Sequence, residues 1–466
     1  MPEPEIQTAK VSVWLRLIEG WNRWTGASVN RSIFGAALTI GALTIAAKLL
    51  SVVKELIVAK TFGTSDALDA FLIAFLLPLF AINVVAGSFN TALIPTFIRI
   101  REKEGTEAAQ RLLSNMLSWS LGLLLVVTLL FALSANTVLP LMTTGFSAEK
   151  YALTRKLFFI LLPALVICGL STTWSAVLNA GQKFALAALT PAITPVVTLV
   201  TIFALGPSWG IYSVAIGTIS GVALEAGVLG AGLKRQGFSL LPRWHGFDAS
   251  VKEVVGQYAP MIAGALLLSS TVIVDQSMAA MLGPGSVAAL SYGYRIVSFV
   301  LGIGSLAIGT AVLPYFSRMV AAGDWNRVRH TLKTYARLIL LATVPLTLVL
   351  VLGSKTIVSL VYERGKFTAV DTLVVSQVQA FYALQIPLYV LGILVVRLIS
   401  SLRANHILMW GAIISLGLDV SLNLLLMPRL GVAGIGLSNS IVYLVSFCYL
   451  LTMLSRHLRR AAVQHG

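Results

Sequence analysis

The sequence predicts an all-α integral membrane protein, with about twelve transmembrane helices in two parallel six-helix bundles around a central cavity. Composition, a series of long uncharged runs and an internal repeat support this fold class. Of the 466 residues, 57% are hydrophobic and 11% are charged, and the mean hydropathy is +0.88. Soluble domains average about 45–50% apolar and about 25% charged residues. The composition therefore excludes an ordinary soluble enzyme and a disordered chain.

Uncharged runs mark the individual helices. A helix needs about 20 apolar residues to cross about 30 Å of hydrocarbon. Turn signals such as Gly206-Pro207 and Gly283-Pro284-Gly285 separate several of the runs. The predicted spans are 33–59, 69–98, 111–134, 157–180, 184–205, 210–233, 254–282, 286–317, 333–353, 371–399, 404–427 and 432–454.

The basic residues predict the orientation of these spans. The chain has 34 Lys and Arg against 18 Asp and Glu. In a soluble protein this excess would suggest nucleic acid, but here the basic residues lie between apolar runs, as the positive-inside rule requires. With the N-terminus inside, 23 of the 34 fall in inside segments and eight in outside loops. We therefore expect both termini in the cytoplasm and no nucleic-acid partner.

The spans divide the chain into five segments. Before the first span, Trp14, Leu17, Ile18 and Trp21 share one helical face, which is typical of an interfacial helix lying on the membrane. The alternative is a frayed tail. The predicted segments are a cytoplasmic N-terminal segment with this amphipathic helix (1–32), a first bundle (33–233), a cytoplasmic linker (234–252), a second bundle (253–455) and a cytoplasmic tail (456–466).

Enzyme and cofactor signals are missing from the sequence. Cys168 and Cys448 lie inside apolar segments and predict neither a disulfide framework nor a zinc site. There is no glycine-rich phosphate loop and no His-Glu-x-x-His pair. We therefore expect no cofactor, no metal and no enzymatic activity.

An internal repeat relates the two halves. Six spans separate its equivalent positions, and because six is even, both halves cross the membrane in the same sense. Parallel repeats of this kind are typical of transporters that bind substrate between their halves; the alternative is a duplicated scaffold without transport. The matches are TALIPTFIR at 91–99 with TAVLPYFSR at 310–318, Phe146-Ser147-Ala148 with Phe367-Thr368-Ala369, and Pro163 with Pro387.

Three basic residues fall within the spans, where a charge costs about 2.5–3.5 kcal/mol on insertion scales. Lys48 and Lys54 lie in the first span and Arg295 in the eighth, so each half contributes to the set. Converging between the halves, they would form a cationic cavity suited to a diphosphate group. The alternative is that they form structural ion pairs or extend to an interface.

Acidic residues near these spans are the candidate partners. Glu55 shares a helical face with Lys48, whereas Lys54 is expected to point away from both. Asp275 lies deep in the seventh span, and both Glu55 and Asp275 are candidate ion-pair or coupling residues. Asp69 opens the second span and is expected to cap the helix or to pair with a cation rather than to carry a proton.

Several motifs together resemble the MviN/MurJ family. Its opening pattern has two arginines six residues apart, an acid directly after the second, an Ala-Phe-Gly-like turn, Thr-Asp-Ala-Phe and Leu-Pro. The matching positions here are Lys48, Lys54, Glu55, Phe62-Gly63, Asp69-Ala70-Phe71 and Pro78. Ser291-Tyr292-Gly293-Tyr294-Arg295 is similar to the family's eighth helix, and Gly365-Lys366-Phe367-Thr368 to a later segment.

The resemblance covers about residues 33–455 and implies the multidrug/oligosaccharidyl-lipid/polysaccharide exporter fold. It implies an inner-membrane flippase of bacteria that moves an undecaprenyl-pyrophosphate-linked saccharide by alternating access. Its partners would be that lipid-linked saccharide, membrane lipid and cell-envelope polysaccharide synthesis proteins. By match, Lys48, Lys54 and Arg295 take the places of the family's cavity arginines and Asp69 that of its aspartate, all as substrate-binding residues.

Departures from the family pattern leave the cargo open. Lysines replace two arginines, the basic pair expected after Leu77-Pro78 is missing, and Ser298 stands where an acid is expected. Twelve spans are also two fewer than lipid II flippases usually have. The cargo is therefore lipid II or another unit, such as an exopolysaccharide or O-antigen precursor. The functional alternatives are a cation-coupled multidrug exporter of the same superfamily and a non-transporting scaffold of a polysaccharide-synthesis complex.

Overall fold

The computed structural model describes residues 29–181, 184–244, 246, 249–402 and 404–464. Every regular element in this part of the chain is helical. Ten of its helices are long and apolar enough to cross a membrane, and Val29–Phe62 and Ala249–Ala280 occupy the first and seventh positions. The all-α membrane fold that the composition and the uncharged runs predict is confirmed.

Six long helical segments form the first half. The second, fourth and fifth are interrupted: the second contains a π-helical turn at Ile82–Gly87, the fourth breaks beside Pro163, and the fifth has a 3₁₀ turn at Thr190–Ala192. The segments are α1 (Val29–Phe62), α2 (Asp66–Lys103), α3 (Thr106–Met142), α4 (Ala148–Ala180), α5 (Phe184–Trp209) and α6 (Tyr212–Arg235).

Six more segments form the second half. A short helix, Ser354–Tyr362, lies between the third and fourth of them. The segments are α7 (Ala249–Ala280), α8 (Ser286–Ala321), α9 (Trp325–Leu352), α10 (Ala369–Ser401, in two pieces, Ala369–Ala383 and Ile386–Ser401), α11 (Asn405–Leu430) and α12 (Val432–Gln464).

The helices alternate in direction, so the molecule has two ends. We call one end the gate end; it contains the turns after α1, α3 and α7 and the turn after the short helix. We call the opposite end the linker end; it contains the first described residue of α1, the connection between α6 and α7, and the last turn of α12. The N-terminal and C-terminal helices therefore reach the same end, as an even number of spans requires.

The two halves pack against each other at both ends of the molecule. One large apolar core includes Val58 of α1, Leu68 of α2 and Leu157 of α4 together with Ala279 of α7 and Leu290 of α8. At the linker end a second core joins α2, α3, α4 and α6 to the first part of α7. The helix α7 thus contacts the first half at the linker end and α8, α11 and α12 of its own half.

The connection between the halves lies against α3. The Gln110 side chain donates to the Ser239 carbonyl at 3.1 Å and accepts from its N–H at 2.9 Å. The Ser114 hydroxyl likewise contacts the Leu241 carbonyl and the Arg243 N–H. Helix α6 ends at Arg235 and α7 begins at Ala249, close to the predicted linker limits, while the exact bundle boundaries stay a prediction.

Some predictions concern residues outside the described part of the chain. The interfacial helix predicted within residues 1–32 falls there, as do Lys183 and Arg403 of the inside basic segments.

Candidate functional site

The structure brings Lys54 and Arg295 together on one carboxylate. The Lys54 ammonium lies 2.7 Å from Oε1 of Glu55, and the Arg295 guanidinium lies 2.5 Å from the same atom. The side chains are 26%, 15% and 36% exposed for Lys54, Glu55 and Arg295. The cluster is therefore partly buried, and it connects the first half to the second.

The register of two helices explains this meeting. Lys54 lies eight residues before the gate end of α1, and Arg295 lies nine residues after the start of α8 at that end. With a rise of about 1.5 Å per residue, both lie about 12–14 Å from the gate end. The sequence-based expectation that Lys54 points away from Glu55 is wrong, because the flexible lysine side chain bends back to its neighbour.

Lys48 lies on the same face of α1 as Glu55, two helical turns nearer the linker end. Its side chain is exposed, and no ion-pair partner for it lies among the described residues. Residues seven apart on a helix share a face, so Lys48 points to the side on which Glu55 meets Arg295. The first half therefore presents a second cation about 10 Å from the cluster along the helix axis.

Asp69 lies apart from these cations, in the contact between the halves at the gate end. Its buried carboxylate accepts hydrogen bonds from the Gly285 and Ala288 N–H groups at 2.8 and 2.7 Å. These groups begin α8, where N–H groups lack helical partners and the helix dipole favours an anion. The Lys150 ammonium lies 2.7 Å from the same carboxylate and 2.5 Å from Asp66.

Asp275 belongs to a polar cluster inside the second half. Asn423 and Asn439 each donate to its carboxylate at 2.8 Å. The buried Asp419 lies near Asp275, and its carboxylate accepts a hydrogen bond from Ser438 at 3.4 Å. Three helices, α7, α11 and α12, therefore direct polar side chains to one buried point. Asp419 was visible in the sequence as a charge within a span, and Asn423 follows it by one helical turn.

Close backbone contacts form what we call the gate contact: Gly63, Thr64, Gly285, Lys366 and Asp371. The Lys366 N–H donates to the carbonyl of residue 60 at 2.8 Å, and the Thr64 hydroxyl donates to Asp371. Gly63 has a φ of 58°, and a Cβ there would lie 2.5 Å from the Lys366 carbonyl oxygen. Only glycine fits such a left-handed position without strain. The gate end is closed in this structure.

The loop between the short helix and α10 is held in place by contacts within the second half. Thr368 and Asp371 form a capping box at the start of α10. The Thr372 hydroxyl donates to Glu363 at 2.8 Å. Hydrogen bonds from Ser359 and Thr372 hold the pKa of the Glu363 carboxyl below its usual value. The loop therefore offers a preformed surface to α1.

Comparison with known proteins places this arrangement in a family. The family model described as lipid II flippase MurJ matches residues 58–464. The chain belongs to the MurJ family of lipid II flippases. The resemblance to the MviN/MurJ family is therefore confirmed.

Relatives in the MurJ family match most of the chain. A probable lipid II flippase MurJ of Rhizobium tropici is 26% identical over 417 residues, covering 87% of this chain and 77% of its own length. The lipid II flippase MurJ of Burkholderia cenocepacia is 25% identical over 423 residues, covering 87% and 81%.

Solved structures show the same fold. A lipid II flippase MurJ in an inward closed conformation superimposes with a TM-score of 0.76 at 22% identity, covering 91% of this chain and 90% of its own. An inward-facing multidrug resistance MATE family transporter superimposes with a TM-score of 0.71 at 14% identity, covering 91% and 99%.

Family membership establishes the general character of the protein. Like other MurJ family members it is a multi-pass protein of the bacterial inner membrane, and the family is one of transporters. The match favours a flippase over the multidrug exporter and the scaffold, the two alternatives that the sequence left open.

Proposed function

We propose that this protein moves an undecaprenyl-pyrophosphate-linked saccharide, lipid II or a related unit, across the inner membrane by alternating access between its two halves. The observation that carries the proposal is the shared carboxylate: Arg295 of the second half and Lys54 of the first both contact Glu55. Two cations that converge between two halves match a pyrophosphate, which presents several anionic oxygens at once.

Glu55 occupies the position that the pyrophosphate would take. In the closed structure the carboxylate pairs with both cations, so neither is desolvated without a partner, and the cluster keeps one net positive charge. A pyrophosphate entering from the linker end would meet Lys48 first and then Lys54 and Arg295. Lysine would supply a mobile point charge and arginine a planar fork of donors. Lys48, Lys54 and Arg295 therefore first attract the pyrophosphate and then hold it while the halves move.

We further propose that Asp275 is the coupling residue. A carboxyl inside a membrane protein is costly and marks an ion or proton pathway by default. Asp275 is buried, lies beside Asp419 and is held by two asparagine amides. Proton or cation exchange at this point would let the membrane potential contribute about 2.3 kcal/mol per charge per 100 mV.

The orientation belongs to the proposal as well. The excess of inside basic residues supports cytoplasmic termini, and thus a cytoplasmic linker end. The closed gate end would then face the periplasm. We also propose that enzymes of cell-envelope polysaccharide synthesis act as its partners, because they supply and consume a lipid-linked saccharide.

Complementation tests the function. A bacterium depleted of its own lipid II flippase expresses this chain, and membrane insertion, growth and surface exposure of lipid II are followed. We expect rescue, with Arg295→Ala and Lys48→Ala each lowering lipid II exposure at least tenfold. Lys48→Arg should retain function, and Lys156→Ala, which removes an exposed lysine of α4, is the matched control.

Two results would contradict parts of this proposal. If a well-inserted chain fails to rescue, its cargo is another polyprenyl-linked saccharide, which can be identified from the polymer lost when the gene is deleted in its own host. If Arg295→Ala and Lys48→Ala together leave transport intact, the cationic site does not hold the pyrophosphate.

A further inference from the structure

A cavity lies within the first half, and its lining includes none of the three residues of the cation cluster. Its volume is about 430 Å³, and its walls come from α2, α4, α6 and the 3₁₀ turn of α5. Small-molecule sites commonly have volumes of about 300–1,000 Å³. The polar lining residues are Cys168, Ser171, Thr172, Ser175, Asn179 and Glu225.

A single helical face supplies most of this polar lining. Cys168, Ser171, Thr172, Ser175 and Asn179 lie at positions i, i+3, i+4, i+7 and i+11 along α4. Residues at this spacing share a face. A polar face of a membrane helix is directed at protein or at a water-filled cavity rather than at lipid. These five residues, which we call the α4 stripe, therefore line an interior that accepts polar groups.

Two lining groups have unused hydrogen-bonding capacity. The Ser171 hydroxyl is buried, with 4% of the residue exposed, and has no partner among the described residues. Thr194 donates to one oxygen of Glu225 at 3.0 Å, and the other oxygen receives no hydrogen bond from the described part of the chain. Buried polar groups are normally satisfied, so the buried Ser171 hydroxyl points to a polar occupant, and the half-buried Glu225 offers that occupant an acceptor oxygen.

Glu225 lies near the middle of its helix. It is 13 residues from the gate end of α6 and 10 from the linker end, or about 20 and 15 Å. Lys54 lies about 12 Å from the gate end, so the carboxylate is about 8 Å deeper along the axis. Helix α1, which carries Lys54, packs against the 3₁₀ turn whose Pro191 lines the cavity.

We propose that this cavity is a subsite for the saccharide of the transported headgroup, with Glu225 accepting hydrogen bonds from sugar hydroxyls. The α4 stripe would supply the remaining donors and acceptors, and Ile82, Ile94 and Val222 an apolar wall. The inference rests on the proposed function, because it assumes that a pyrophosphate occupies the cation cluster. Affinity for the sugar and affinity for the pyrophosphate would then depend on different residues.

Binding of two probes to the purified full-length protein tests this separation. The probes are a short-chain polyprenyl pyrophosphate and the same molecule bearing one N-acetylated hexosamine. We expect the sugar to tighten binding about tenfold or more, because hydrogen bonds to a charged acceptor are the stronger class. Glu225→Gln should weaken binding of the sugar-bearing probe about tenfold and leave affinity for the sugar-free probe unchanged. Glu149→Gln, an exposed glutamate of α4, is the matched control.

A chemical readout gives independent evidence. In a Cys448→Ala background, Cys168 in the cavity is labelled with a small water-soluble alkylating reagent at alkaline pH and long exposure, because a thiol in apolar surroundings forms the reactive thiolate slowly. The sugar-bearing probe should slow this labelling more than the sugar-free probe does. Ser175→Ala should reduce the protection without changing the labelling rate of the unliganded protein.

The outcomes separate the two proposals. If neither probe binds, the proposed function fails. If the sugar-free probe binds but the sugar adds no affinity, or if Glu225→Gln and Ser175→Ala leave its contribution unchanged, the saccharide subsite is wrong while the pyrophosphate site stands.

Discussion

Replacing Asp69 by asparagine is expected to open the gate end of the molecule. The carboxylate is buried and accepts three hydrogen bonds, from Lys150 and from the Gly285 and Ala288 N–H groups, at 2.7 to 2.8 Å. Asparagine keeps one acceptor oxygen and turns its amide donor toward groups that are themselves donors. The contact that joins α2 to the start of α8 is therefore weakened while the side-chain volume stays the same.

The structure sets the size of this effect. A hydrogen bond to a charged group contributes about 1.5–3 kcal/mol, and removing one partner of a buried ion pair costs about 3–5 kcal/mol. Lys150 keeps Asp66 as a partner, which places the expected loss near the lower limit, at about 3 kcal/mol. Since 1.4 kcal/mol is a factor of ten, the closed state should lose about a hundredfold in population relative to the open state.

Asp66 provides the matched control. It contacts the same ammonium, but its side chain is 52% exposed, and no bond to α8 is found for it in the described residues. Exposed ion pairs contribute about 0–1 kcal/mol. Asp66→Asn should therefore shift the equilibrium less than about fivefold. The two variants remove the same charge from the same lysine and differ in contact with the second half.

Distances between spin labels at Glu149 and Val370 report the gate directly, in a background without the two native cysteines. Both positions are exposed, one on each half at the gate end. Asp69→Asn should add a long-distance population that Asp66→Asn lacks. Unchanged distances in Asp69→Asn, or equal opening in both variants, would refute the role of Asp69 in holding the gate end closed.

Three further variants test other contacts. Glu55→Gln should tighten binding of a polyprenyl pyrophosphate about tenfold in a direct binding assay, because it removes an anion that competes for the cations; weaker binding would mean that the carboxylate organises the site instead. Gly63→Ala should lower the closed-gate population in the same label experiment, since its Cβ would lie 2.5 Å from a carbonyl oxygen; full closure would contradict this. Arg99→Glu should lower thermal stability by less than about 1 kcal/mol, because the Arg99–Glu253 pair is exposed, and a further Glu253→Arg exchange should restore it; a larger or unrestored loss would point to another role.

The helices were predictable from the sequence, and their partners across the molecule were not. Length and hydropathy determine a span on their own, so α3 and α6 were expected close to where they lie. The contact of Asp69 with Gly285 and Ala288 joins residues 216 and 219 positions apart, through backbone groups that carry no side-chain signal. Sequence reasoning could assign Asp69 a cap, but it could not identify the helix that is capped.

In the candidate site, too, the sequence indicated the charged residues but not their partners. Lys54 and Arg295 were recognisable because charges within spans are rare. Their common partner depended on the bend of the flexible lysine side chain. The α4 stripe was present in the sequence as regularly spaced small polar residues, but Ser and Thr are common in membrane helices, where they bond to their own backbone. Only the cavity and the unpartnered Ser171 distinguish this stripe from packing.

The ion pair between Glu55 and Arg295 connects substrate binding to conformational change. Glu55 belongs to the first half and Arg295 to the second, so the pair is itself a contact between the halves. A pyrophosphate that takes the place of Glu55 on Arg295 removes that contact and supplies its own charge in return. A ligand shifts a conformational equilibrium only by its differential affinity for the two states. If the pyrophosphate contacts Lys54 and Arg295 in both states whereas Glu55 reaches Arg295 only in the closed one, binding favours opening by the free energy of the lost pair. Reformation of the pair after release would then return the empty protein to the closed state.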